Sequence, residues 1–167
     1  MILTAVRVVH LLFAGLNAGI LYCHFLEMAG KMQLSGPAYM QVQDLLYRGW
    51  AVWAGICEIG ALLTTAILLI LTRRSRLAFT PAAVALVMLG TSLALFFIWV
   101  APANAATQQW TMPTPPPEWM GLRARWEKGH AIRAGLAILG LAGLILSALA
   151  PTRETPRSRR RRWSPPR

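Results

Sequence analysis

The sequence predicts an all-α fold: an integral membrane four-helix bundle with both termini cytoplasmic and a disordered basic C-terminal tail. Three observations lead there. The chain has 167 residues, of which 56% are hydrophobic and only 14% charged, too apolar a balance for a soluble domain of that size. Four stretches, about 3–28, 50–71, 81–100 and 126–150, come close to the roughly 20 residues a helix needs to cross hydrocarbon. Runs such as Ala61 to Leu71 lack the alternation of a barrel strand, and in lipid only helices or closed barrels satisfy their backbone groups. Residues 1–150 therefore form one transmembrane domain and 151–167 a tail.

The first span carries Arg7 and His10 inside its apolar run and has no small-x-small cleavage pattern, so it is expected to be retained rather than removed as a signal peptide. His10, Asn17 and His24 recur every seven residues, which confines them to about 40° of one helix face, with Glu27 about 60° further round. Polar side chains in a membrane helix turn toward the bundle interior, since facing lipid is costly. His10 and Asn17 read as interhelical hydrogen-bonding groups. His24 and Glu27 share a depth with the charged start of the fourth span and are site candidates. Cys23 and Cys57, on different spans without a Cys-x-x-Cys spacing, read as buried reduced thiols.

After the breaker pair Gly36-Pro37, residues 38–47 have the composition of a short interfacial helix. The second span places Glu58 eight residues in, about 12 Å below the outer boundary at 1.5 Å per residue. A carboxyl group at that depth is protonated, or paired with a cation or metal; the candidate partners are Arg133, His130 and His24. A structural ion pair and a proton-handling role both stay open for it.

The net charge of +11 invites a nucleic-acid reading, but the positions of the charges favour topology instead. Seven of the 17 basic residues lie between Arg153 and Arg167, and Arg73, Arg74 and Arg76 lie in the connection between spans two and three, on the same side as that tail. The positive-inside rule makes that side cytoplasmic. The tail is expected to contact anionic lipid, worth about 1 kcal/mol per basic residue, and no nucleic acid.

Span three ends before Asn104, and the loop after it holds Pro113, Pro115, Pro116 and Pro117 between Trp110 and Trp119. Such a stiff loop suits a lid over a cavity, or plain surface packing. Most of the outer tryptophans read as an interfacial belt. Span four opens with Arg123, Trp126, Glu127, His130 and Arg133 within about 120° of one face, while Arg125 and Lys128 point elsewhere and are expected to snorkel to headgroups. Glu127, three residues before His130, is placed to orient its imidazole.

His24, Glu27, Glu58, Glu127 and His130 are metal-ligand types without the usual spacing, since Glu-x-x-His occurs once, at Glu127 and His130, and is reversed at His24 and Glu27. No metal site is assigned and no cofactor is favoured. A haem with His24 and His130 as axial ligands, or a bound metal ion, stays as an alternative.

The pattern His24-x-x-Glu27, Lys31, Tyr47-Arg-Gly-Trp50, Glu58, Pro102-x-Asn104, Trp119-x-x-Leu-Arg123-x-Arg-Trp-Glu127 and His130-x-x-Arg133 resembles small bacterial four-span proteins of the anthrone oxygenase-like family. The resemblance covers about residues 11–149. It implies a bacterial inner-membrane protein and, from the fungal members, oxidation of tricyclic phenols to quinones with O₂. The bacterial members are largely uncharacterised. On this reading His24, Glu27, Glu58 and His130 are the candidate catalytic residues of an outward-facing polar pocket. Asn104, Trp119, Arg123, Trp126, Glu127 and Arg133 are its candidate contacts to a small aromatic or quinol-like molecule. A non-enzymatic module or small proton-coupled transporter using Glu58 is the remaining alternative.

Overall fold

The computed structural model describes residues 2–108, 110 and 115–151; the basic tail beyond Pro151 lies outside them. The described chain is all-α. Its elements are α1 (Ile2–Lys31), α2 (Gly36–Leu46), α3 (Trp50–Thr72), α4 (Arg76–Leu95), a π-helical turn (Phe96–Val100), α5 (Ala101–Thr107) and α6 (Trp119–Leu149). The π turn joins α4 and α5 into one rod, so that four helices, Ile2–Lys31, Trp50–Thr72, Arg76–Thr107 and Trp119–Leu149, are long and apolar enough to cross a membrane. This is a multi-pass membrane protein in contact with lipid. The third rod is longer than residues 81–100, and Asn104 sits within its last turns rather than after it.

The bundle is inside-out relative to a soluble one. Leu12, Leu16, Leu63, Val87, Ile98 and Leu139 face outward, whereas His10, Asn17, Thr65, Ser92 and Ser147 are buried. In lipid, apolar burial does little to drive helix association, and close backbone approach and interhelical hydrogen bonds take over. The α4/α6 contact shows both devices. A Cβ added at Gly143 would lie 2.8 Å from the Pro81 carbonyl oxygen, and one at Gly140 would lie 3.2 Å from the Leu89 side chain. Ser147 Oγ donates to the Ala78 carbonyl at 2.7 Å. Between α1 and α3, the missing side chain of Gly60 makes room for the Phe13 ring. Thr64, Thr65 and Thr72 return their hydroxyls to carbonyls of their own helix, which removes three donors from the apolar interior.

The π turn has a sequence cause. Pro102 has no N–H to give to the carbonyl four residues back, that of Ile98, and its ring clashes there. The Ala101 N–H bonds instead to Phe96 O, five residues back. Arg125 Nη2 donates to the freed Ile98 carbonyl at 3.1 Å. Arg125 is exposed, as a headgroup contact requires, and its guanidinium also serves the broken helix. Cys57 is buried while Cys23 is exposed, against the expectation of two buried thiols: Cys23 falls on the outer flank of α1, one residue off the face that carries His24.

Candidate functional site

The four rods enclose a cavity of about 350 Å³ in the half of the bundle that carries α2, a volume within the range of small-molecule sites. Each rod supplies polar groups to it: Asn17 and His24 from α1, Glu58 from α3, Asn104 from α5 with Gln108 just after it, and His130 and Arg133 from α6. Gln43 of α2 and Tyr47 line the same space. Aromatic wall area comes from Trp50, Phe96, Phe97 and Trp126.

The floor is an ion pair. Arg133 Nη2 reaches both Glu58 oxygens, at 2.9 and 2.8 Å, and both side chains are buried. Ser92 closes the group by donating its hydroxyl to Glu58 Oε1 at 3.3 Å, while its carbonyl accepts from Arg133 Nε at 3.1 Å. Both carboxylate oxygens thus share one guanidinium nitrogen from the helix across the bundle, a charged partner of the kind that makes a buried carboxylate tolerable. Of its three candidate partners, Glu58 takes Arg133.

Above the floor lie the two imidazoles. The His24 and His130 rings are 4.2 Å apart between centroids and tilted by 38°. Trp126 contacts both, at 5.0 and 4.3 Å, and Tyr47 and Trp50 flank His24 at 4.8 and 5.4 Å. Arg133 Nη1 is 3.5 Å from His130 Nδ1. A guanidinium only donates, so Nδ1 accepts and the imidazole proton belongs on Nε2. His24 Nδ1 has no hydrogen-bond partner among the described residues. The rings lie against each other, with no porphyrin-wide gap between them. Among the described residues no three His, Cys, Asp or Glu side chains gather as a metal site.

A second polar cluster sits above the cavity. Lys31 is 5% exposed; its ammonium lies 3.1 Å from Glu127 Oε2 and 3.5 Å from Glu27 Oε2, and it donates to Tyr47 Oη at 3.0 Å. The Tyr47 hydroxyl donates to Glu27 in turn, and Tyr39 donates to Glu127 at 3.2 Å. Burial first, then the neighbouring carboxylate, raises both tyrosine pKa values, so each phenol keeps its proton and serves as a donor. Arg123 caps the end of α1 through the Lys31 and Leu34 carbonyls, at 3.2 and 2.8 Å, and lies over the Trp119 ring at 4.5 Å.

The ten sequence-predicted residues therefore divide. His24, Glu58, Asn104, Trp126, His130 and Arg133 line the cavity; Glu27, Trp119, Arg123 and Glu127 do not. Glu127 serves Lys31 and Tyr39 rather than orienting His130. Trp119 and Pro115 pack against Gly36 at the start of α2. The part of the Pro-rich loop from Pro115 onward is thus surface packing, and α2 with Tyr47 forms the cover; residues 111–114 lie outside the described residues. Asn104 is held by Trp126, whose Nε1 donates to Asn104 Oδ1 at 2.6 Å.

Lys31 and Tyr47, which the sequence pattern named without assigning them to the site, and Tyr39 and Ser92, which it did not name, are parts of the site. Lys31 had a signal: it is seven residues after His24, which continues the step of His10, Asn17 and His24, and all four are buried. No protein-family profile, no curated protein and no solved structure matches this chain.

Proposed function

We propose that this protein binds a small planar phenolic or quinol-like molecule in the cavity and deprotonates it with the His24/His130 pair, as an oxidoreductase that uses O₂. The observation that carries the reading is the contact of two imidazoles, 4.2 Å between centroids, in the wall of a ligand-sized cavity beside Trp50 and Trp126. A flat ring fits between such aromatic faces. A neutral imidazole accepts a phenolic proton, and the imidazolium it becomes holds the oxyanion that forms. The family resemblance supplies the oxidation. A ring CH₂ becomes C=O, one atom of O₂ stays on carbon, and the other leaves as water with the two hydrogens.

Activity on an anthrone-type phenol, followed as O₂ uptake by the protein in lipid nanodiscs, tests this. His24→Ala and His130→Ala are each expected to lower the rate about 100-fold, within the usual range for a lost general base. Trp119→Ala, outside the cavity, is expected to keep it. Full activity in both histidine variants removes the assignment.

The same proposal places the protein in a bacterial inner membrane with the cavity half outward. The orientation rests on Arg73, Arg74 and Arg76 at the end where α1 begins and α6 finishes. A reporter active only in the periplasm, fused to the C-terminus, is expected to stay silent; activity there reverses the orientation.

A further inference from the structure

The cavity has a side opening. Its lining includes Ala51, Ile59 and Phe97, which are also on the lipid-facing surface; Ile59 is 45% and Phe97 63% exposed. Ala51 and Ile59 are on α3 and Phe97 is in the π turn, so the exposed lining residues mark the two edges of one slot. On α3 the slot runs from Ala51 to Ile59, about 12 Å along the helix axis.

Packing explains why it is there. Deeper in the bundle the α3/α4 seam is closed, because Ala61 and Leu68 share a core cluster with Ala82, Ala85 and Leu89. Nearer the α2 end, the continuation of that rod keeps its contact with α6, where Val100 and Ala103 pack with Trp126, and among the described residues it shares no such cluster with α3. The π turn is where the rod parts from α3. Opposite it, α3 presents Ala51, Ala54 and Gly55, and a Cβ at Gly55 meets nothing within 4 Å.

The lining also limits the charge of an occupant. Among the described residues its only formal charges are Glu58 and Arg133, which neutralise each other in a buried pair. The other polar groups are the amides of Asn17, Gln43, Asn104 and Gln108, two imidazoles and the Tyr47 phenol. Among the described lining residues an anion would find no unpaired cation, whereas an uncharged ring carrying oxygens finds donors and acceptors.

We infer that the occupant enters sideways from the bilayer, and that it is an uncharged, membrane-dissolved ring compound whose apolar tail stays in the slot past Ile59 and Phe97. This rests on the reading of the cavity as a ring-binding site and adds the route and the tail. The test uses two probes on the full chain in nanodiscs: a benzoquinone with a long isoprenoid tail, and the same ring bearing only methyl groups. Binding is read from quenching of tryptophan fluorescence, to which Trp50 and Trp126 in the wall contribute.

Wild type is expected to bind both probes. Gly55→Phe and Ile59→Phe, either of which serves if the other fails to fold, narrow the slot. Each is expected to weaken the tailed probe at least tenfold and to change the short one by no more than about twofold. Unchanged binding of the tailed probe overturns the inference, and so does an equal loss for both probes, which would mean that the new side chain fills the ring site. Failure of wild type to bind either ring removes the underlying reading of the cavity instead.

Discussion

Replacing Glu58 by leucine, or Arg133 by leucine, is expected to destabilise the bundle by about 3–5 kcal/mol, while the double replacement recovers most of that loss. Both side chains are nearly inaccessible, and each single change leaves one formal charge in an apolar interior with its main partner gone. Removing Glu58 leaves Arg133 with the Ser92 carbonyl and the His130 nitrogen. Removing Arg133 leaves Glu58 with the Ser92 hydroxyl alone. The double variant has neither charge and adds apolar volume in place of the pair. A double-mutant cycle on unfolding in mixed micelles measures the coupling. Single variants within about 1 kcal/mol of wild type would show that the pair is solvated and of the weak, surface kind.

The second large effect is expected at Lys31. Lys31→Met leaves Glu127, 1% exposed, with the Tyr39 hydroxyl and no cation, and takes from Glu27 its ammonium neighbour. A loss of about 3–5 kcal/mol follows from breaking a buried pair, and Glu127→Gln in the same chain is expected to restore part of it, because the remaining side chain is then neutral. The damage also has a place. Tyr39 and Tyr47 tether α2 and the turn after it to this cluster, so limited proteolysis between Gln33 and Gly49 is expected to accelerate in Lys31→Met. Cleavage at the wild-type rate, with unchanged stability, would mean that α2 is held by its apolar contacts and that the cluster is incidental.

The helices and their polar faces were legible in the sequence because lipid simplifies the rules. Span length comes from hydrocarbon thickness, and a polar side chain such as Asn17 or Glu58 has one affordable direction, inward. Periodicity then placed His24 on the face of Asn17, and His130 on that of Arg133. Periodicity gives an angle about one axis, however, and not what stands across from it. Glu127 and His130 share a face of α6, yet Glu127 meets Lys31 of α1 while His130 meets His24. The difference is depth, because Lys31 ends α1 two turns beyond His24. The same limit hid Ser92, an unremarkable serine until the rod that carries it lies between Glu58 and Arg133.

Local chemistry was also read one residue at a time where it acts in pairs. Arg125 is exposed and fits a headgroup contact by its sequence context. Its role depends on Pro102, twenty-three positions earlier in the chain, which leaves the Ile98 carbonyl without a helical donor.

By itself the sequence determined a membrane-spanning all-α chain of four long apolar helices and the inward turn of their charged and histidine side chains, since the cost of polar groups in hydrocarbon acts on each helix separately. Tertiary structure alone decided the division of the ten candidate residues into a cavity and a cluster above it, the pairing of Glu58 with Arg133 and of Lys31 with Glu127, and the slot between α3 and the π turn. Those depend on how deep each residue lies against its neighbours and on which helix a rod packs against along its length, quantities that exist only once four helices share one interior.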